Sequence, residues 1–345
     1  MSCLSGVEYL VFTWKGVHRG MNIVFMVMCH KNAKQVIRLV HTLLREGVFV
    51  VIHTDSEMQD IEYKVIREFV QDNQQVFLTG QHMHGELDMR SLVDITLLMI
   101  KEAVRIEASK KIHFSYYCLM SGQDYLIKPV DKILEMLIHF YPKPFIGCAP
   151  YQKTTPIFFK FDNNKETIKW TRFVNNHIHN KVLWEIFRYI RYIQRIYYRI
   201  RKKTSRDILQ RLHVDLYMGS AWWILPDKVI SFILCEMEKK PAYIDVILDG
   251  SYTPEETFFQ IMALRSPLKD MIQVRKYKDT KKDSRTWAIF TGAKMDKPFT
   301  GHPYYFESDD FEEIQKSDFW IARKFDETID KNILDRIDKE ILHIN

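Results

Sequence analysis

In TPEETFFQIM (253–262) two adjacent acids, Glu255 and Glu256, follow a proline, and a basic pair, Arg323 and Lys324, lies in FWIARKFD (319–326). A carboxylate can take a proton from an attacking hydroxyl. Arg can grip a phosphate with its two-pronged guanidinium, and Lys adds a compact positive charge. Each also has a plainer explanation. Thr253 suits an N-cap, Pro254 the first helical position, and the two acids the first turn, where free N–H groups favour negative charge. Glu256, three residues after Thr253, also completes a capping box. Arg323 and Lys324 equally suit a basic helix end or a solvated surface.

Other polar groups stand at the ends of strand-like runs. VFVVIHTD (48–55) ends with His53 and Asp55 as nucleotide-binding candidates. Asp55 can bond a ribose or uracil, or act as a turn residue capping the next helix. HFSYYCLMSG (113–122) runs into Ser121, Gln123 and Asp124, expected on the floor of a cleft. Trp222 and Trp223 follow Gly219 and Ser220. A Trp face stacks on a sugar ring, but successive strand residues point oppositely, so one Trp is expected in the core and one at the site.

Several chemistries are disfavoured. The chain has no GxGxxG, no GxxxxGK[ST], no HExxH and no GxSxG. No two aspartates lie two apart, so the Asp-x-Asp that holds a metal on a donor diphosphate is missing. DSE (55–57) and DIE (60–62) are looser triples of a kind common by chance. His82 and His84 read as a loop feature. No metal site is expected, and if a diphosphate binds, protein cations take the metal's place on it.

The elements that must position these groups begin with NIVFMVMCH (22–30), a continuous apolar run suited to a strand buried on both faces. AKQVIRLVHTLLREG (33–47) has helical spacing, with Gly47 as its stop, and 48–55 is a second strand. Strand, helix, strand implies a parallel sheet. Strands follow at 75–80, 113–122 and 144–149, with helices at 91–106 and 129–140. This is an α/β nucleotide-binding half, whose ligands bind beyond the carboxyl ends of the strands. The second half is mixed: a long helical stretch (180–211), an extended run (215–226), a helix (227–241), the TPEE helix to Arg265, a strand (285–292) and a helix at 308–317 capped by Ser308.

The chain has 345 residues, 46% of them hydrophobic, enough for one large domain or two moderate ones. No apolar run approaches a membrane span, and residues 1–20 read as an extension without a secretory leader. Five scattered cysteines fit a reducing, cytoplasmic setting and no disulfide framework. Lys169 to Arg211 holds 12 Lys/Arg against two acids, +10 in a chain of net +6. Arg188, Arg191, Arg195 and Arg199 line one helical face beside an apolar band. Such a helix either covers a core with its Arg stems snorkelling or docks on an anionic membrane surface, a peripheral role for the basic stretch 181–211. No nucleic-acid module accompanies the charge.

LMSGQDYLIKP (119–129), GSAWWILP (219–226), TPEETFFQ (253–260), GHPYYF (301–306) and FWIARKFD (319–326), in this order, resemble the core-2/I-branching family of glycosyltransferases. That family includes β-1,6-N-acetylglucosaminyltransferases and peptide O-xylosyltransferases. The likeness covers 21 to about 327, with each piece weak alone and five in register specific. It implies a GT-A type fold: a nucleotide-sugar half (21–150) and an acceptor-binding, catalytic half (151–345) in one continuous domain. It also implies inverting, metal-independent transfer from a UDP-sugar, with no cofactor. Glu256 becomes the general base, Lys324 with Arg323 the diphosphate grip, and Asp55 a uridine contact. The expected reaction moves N-acetylglucosamine from UDP-GlcNAc to a hydroxyl of a glycan or glycolipid acceptor. UDP-xylose is the rival donor, and a non-catalytic glycan- or membrane-binding protein the rival class. Tyr304 stands where a basic residue often aids phosphate binding, and Ser56 follows Asp55 where a Lys is usual. Neither the anchor nor the disulfides of the animal enzymes are visible, so a soluble bacterial member is expected.

Overall fold

The computed structural model describes residues 21–85, 90–151, 161, 164–178, 180–288 and 303–344. The first apolar run forms β1 (Asn22–Cys29), followed by α1 (Ala33–Leu43), β2 (Val48–Thr54), α2 (Asp60–Gln71), β3 (Val76–Leu78), α3 (Arg90–Lys110) and β4 (Phe114–Ser121). Then come β5 (Asp124–Leu126), α4 (Val130–Phe140), β6 (Phe145–Ile146) and β7 (Ala149–Pro150). The later half contributes α5 (Lys165–His177), α6 (Lys181–Ile200), α7 (Ser205–Arg211), β8 (Tyr217–Met218), β9 (Trp223–Pro226), α8 (Asp227–Lys239) and α9 (Ala242–Gly250). A 3-10 turn (Pro254–Glu256) leads into α10 (Phe258–Arg265), then α11 (Lys281–Ser284), β10 (Thr286–Ala288), α12 (Phe311–Lys316), β11 (Ile321–Arg323) and α13 (Lys331–Arg336).

The protein is a mixed α/β structure. Among the described residues the main sheet has six strands in the order β3-β2-β1-β4-β9-β6. β3, β2, β1 and β4 run parallel, β9 pairs antiparallel with β4, and β6, antiparallel to β9, resumes the direction of the parallel strands. β9 comes from the second half of the chain, so the sheet crosses the boundary placed at residue 150. Successive residues of β1 point to opposite faces. Ile23, Phe25 and Val27 enter one apolar cluster with α1 and α4. Val24 and Met26 enter a second with α3, α8 and α10. Helices on both faces explain why β1 is apolar without alternation. Among the described residues no helix is long and apolar enough to cross a membrane. Cys29, Cys118, Cys148 and Cys235 are free thiols.

Several expectations change. α2, α5, α9, α11 and α13 lie outside the expected helices. α2 buries only Ile66, so the charges on its surface obscure its periodicity. Helix α1 ends at Leu43, and Gly47 instead takes a left-handed turn conformation (φ 78°) beyond it. The stretch at 180–211 is two helices: Lys202 is left-handed (φ 50°), and Thr204 and Asp207 form a capping box that starts α7. The helix at 308–317 begins as a 3-10 turn capped by Glu307 with Asp310, while the Ser308 hydroxyl donates to Asp330 (2.6 Å). The strand expected at 285–292 is β10, its remainder lying outside the described residues. Residues 1–20, Gly301 and His302 lie outside them too.

Candidate active site

The site grows from the carboxyl edge of the parallel strands. β4 ends at Ser121, opposite Met28 of β1, and the chain turns at Gly122 into β5. A Cβ on Gly122 would lie 2.8 Å from Val36 and 2.9 Å from the Cys29 side chain, so this turn is pressed against α1 and β1. The turn is tied by its own side chains: the Ser121 N–H donates to Asp124 (2.8 Å), and the Gln123 N–H to the Ser121 hydroxyl (3.2 Å). β5 pairs antiparallel with β11, which sets Arg323 directly opposite Asp124. Two of the five motif segments, 200 residues apart, meet through this short ladder.

Arg323 is the centre of the cluster. Its side chain is 11% exposed and Asp124 is buried; Arg323 Nη1 lies 3.4 Å from Asp124 Oδ1. The guanidinium also stacks 4.1 Å above the Trp222 ring. Desolvation pushes the Arg323 pKa below the usual guanidinium range, opposed by Asp124, Tyr305 and Glu256. Burial raises the Asp124 carboxyl, opposed by Arg323, the Ser121 N–H and Lys324. Arg323 Nε and Nη1 and Gln123 Nε2 are buried donors with no hydrogen-bond partner among the described residues. Buried donors are nearly always satisfied, so a cationic group with unused N–H bonds is suited to an anionic ligand.

Glu256 reaches the same cluster. Its charge is felt by Arg323, and also by Tyr277, whose ring is 41% exposed and whose hydroxyl is raised by desolvation first and by Glu256 second. The carboxylate is half-buried. Its local structure differs from the expected helix start. Thr253 makes no side-chain cap, the 3-10 turn ends at Glu256, and α10 starts only after Thr257 (φ −129°). The acid therefore stands before the helix rather than in its first turn. Thr257, fully buried, has its hydroxyl 3.3 Å from the carbonyls of Thr253 and Pro254 and can donate to either. The Glu256 carbonyl accepts from the Gly219 N–H (2.8 Å), and the buried Gln260 donates to the Ser220 carbonyl (2.7 Å). The GSAWW and TPEETFFQ segments are thus bolted together by two hydrogen bonds. The approach is close enough that a Cβ on Gly219 would sit 1.7 Å from the Gly147 carbonyl oxygen.

The two tryptophans divide. Trp223 is fully buried against Phe259, with ring centroids 4.8 Å apart, and Trp222 faces Arg323.

Lys324 follows Arg323 and places its ammonium 5.1 Å from the centroid of the Tyr305 ring. Its charge acts on Asp124 and on His30, at the end of β1. His30 is exposed to solvent. Its pKa is lowered by desolvation and then by Lys31 and Lys324, against Asp55 and Asp326. Asp124 and Arg323 thus stand on the β5–β11 ladder, and His30 and Asp55 just past the ends of β1 and β2 of the main sheet.

At its far end Asp55 is already engaged. It accepts from the N–H groups of Glu57 (2.8 Å) and Gly85 (2.7 Å) and pairs with His84 Nδ1 (3.0 Å). Burial opposes its ionisation, but these bonds hold its pKa below the usual carboxylate range. His53 requires a correction. It is 1% exposed, with Nδ1 bonded to the Thr79 hydroxyl (2.9 Å) and Nε2 to the Met83 carbonyl (3.1 Å). Both ring nitrogens are used, so His53 positions the 79–85 loop and presents no polar atom to a nucleotide. His82 bonds Thr54 (2.7 Å) and Tyr63 (3.1 Å), a loop role like that of His84.

Four residues were missed by sequence reasoning: His30, Gln35, Tyr277 and Tyr305. Only His30, as the polar end of a buried strand, carried a signal comparable to Asp55. Gln35, fully buried on α1, donates to the carbonyls of Gly122 (3.0 Å) and Phe325 (3.1 Å) and so couples the β4–β5 turn to the segment bearing Arg323 and Lys324. Asp326 anchors that segment from beyond, through Lys31 (2.7 Å) and Asn32 (2.8 Å). Compared with protein-family models and with curated proteins, the sequence matches none.

Proposed function

We propose that this protein is an inverting glycosyltransferase of GT-A type that moves N-acetylglucosamine from UDP-GlcNAc to a hydroxyl of a glycan acceptor without a metal. The observation that carries this reading is that the 219–222 segment joins Glu256 to the basic pair: the Gly219 N–H bonds the Glu256 carbonyl (2.8 Å), and Trp222, three residues on, stacks 4.1 Å from Arg323, itself paired with Asp124 (3.4 Å). In a single displacement the Glu256 carboxylate accepts the proton of the acceptor hydroxyl as its oxygen attacks the anomeric carbon. The bond from that carbon to the diphosphate oxygen breaks, and UDP leaves with the electron pair. Arg323 and Lys324 stabilise the charge that develops on the leaving group, in a site where low solvent access strengthens them. Trp222 offers the guanidinium a fixed platform and the sugar an apolar edge. Asp55 keeps the 82–85 loop in place at the nucleotide end. The thiols fit work in a reducing, cytoplasmic setting.

Transfer and UDP-sugar hydrolysis, followed with UDP-GlcNAc, UDP-xylose, UDP-galactose and UDP-glucose, test the reading. Glu256→Gln is expected to lower turnover on the order of a hundred- to ten-thousand-fold while UDP affinity stays near wild type. Lys324→Ala is expected to weaken UDP binding as well as turnover. Equal turnover in Glu256→Gln removes the base, and complete loss of activity in EDTA removes the metal-free mechanism. Preference for UDP-xylose reassigns the donor, and UDP binding without turnover of any donor leaves a non-catalytic protein.

A further inference from the structure

Helix α6 uses its inner face against α5, where Trp184, Phe187 and Arg191 meet Trp170, Thr171 and Val174. Trp170 and Phe187 pack edge-on with ring centroids 5.3 Å apart. The opposite face carries Val182, Ile186, Tyr189, Ile193, Ile196 and Ile200, spaced alternately four and three residues apart. That spacing makes one stripe along the helix. All six side chains are exposed, Ile193 at 65% and Ile200 at 75%. The helix is therefore not a core cover with its apolar side inward. Its most apolar face, roughly 27 Å long by helical rise, looks into solvent, and an exposed apolar surface of this kind marks an interaction site.

The surroundings of the stripe identify what it meets. Residues 181–203 contain eight Lys/Arg and one acid, Glu185, which is itself paired with Arg188 (2.8 Å). Arg188, Arg195 and Arg199 lie along one flank, and Arg201, Lys202 and Lys203 cluster, exposed, at the C-terminal end. A second copy seated on the stripe would bring two strongly cationic helices side by side with almost no acid to pair them. An anionic bilayer supplies both needs at once: acyl chains for the isoleucines and negative headgroups for the arginines. Tyr189, Tyr192 and Tyr197, each at least half exposed, have the apolar body and polar tip favoured at headgroup level.

We propose that α6 is a membrane-docking helix that lies flat in the interface of an anionic lipid surface, stripe inward and arginines against the headgroups. The inference stands on α6 alone and does not depend on the transferase reading. The test is sedimentation of the full chain with vesicles of phosphatidylcholine, alone or mixed with phosphatidylglycerol, at low and high salt. Binding to the mixed vesicles is expected to be on the order of tenfold or more tighter than to neutral ones, and to weaken with salt. Ile186→Glu with Ile193→Glu is expected to abolish it with the melting temperature unchanged, because both side chains face water. Arg188→Gln with Arg199→Gln is expected to weaken it on the order of tenfold. Equal binding to the two vesicle types overturns the proposal. So does binding that survives the double Ile substitution, or a concentration-dependent dimer that this substitution splits.

Discussion

Arg323 faces a carboxylate across the β5–β11 ladder and feels a second, Glu256, from the 3-10 turn, with an indole beneath it. Removing one partner of a buried ion pair leaves the other charge without compensation. Arg323→Ala is accordingly expected to destabilise the fold by about 3 kcal/mol in denaturant titration. Asp124→Asn added to it should recover part of the loss. No recovery would mean that the two side chains do not act as a pair. Asp326 gives a pH-dependent counterpart. Burial opposes its ionisation, yet hydrogen bonds from Lys31 and Thr328 hold its pKa down to about 2. An unfolded aspartate titrates near about 3.9, so the folded state gains stability above that pH and loses it as pH falls through about 2. The contribution is about 2 to 3 kcal/mol. Asp326→Asn is expected to lower stability at neutral pH and to flatten this acid limb, as read by denaturant titration across pH 2 to pH 6.

At the scale of elements, the candidate base is held by neighbours rather than by a helix of its own. The 253–256 segment has the residue types of a helix start, and local preference alone favours that outcome. Tertiary bonds prevail instead: the Gly219 N–H takes the Glu256 carbonyl, Gln260 takes the Ser220 carbonyl, and Thr257 closes the turn. Gly219→Ala would drive a methyl into the Gly147 carbonyl, 1.7 Å away. The expected cost is about 3 kcal/mol or more, seen as a fall in melting temperature. A normal melting temperature would show that β7 and β8 separate easily. None of this contact was legible in the sequence, because Gly147 and Gly219 are distant and glycine frequency says nothing about which backbone comes near. The Trp222–Trp223 division was legible, because strand alternation forces adjacent side chains apart.

For the molecule as a whole, the six-stranded sheet with helices on both faces brings Ser121, Asp55 and Trp223 to one edge, while a separate three-stranded sheet, β10-β11-β5, carries Asp124 and Arg323. Phe25, fully buried at the centre of β1, packs into the cluster shared by α1 and α4. Phe25→Ala is expected to cost about 3 to 5 kcal/mol in chemical denaturation. A loss below about 1 kcal/mol would show that the core collapses around the gap. The sequence by itself determined the parallel strand-helix core, since continuous apolar runs and helical spacing follow from local geometry and burial. It also marked the carboxyl edge of the sheet as the place for polar residues, and the basic charge of 169–211. Only the tertiary structure decided that Arg323 stands opposite Asp124, that Glu256 shares their field, that both His53 nitrogens are used internally, and which way the apolar stripe of α6 faces. Those outcomes depend on strand register, backbone approach and helix rotation, which arise between segments far apart in the chain and leave no periodic trace within any one of them.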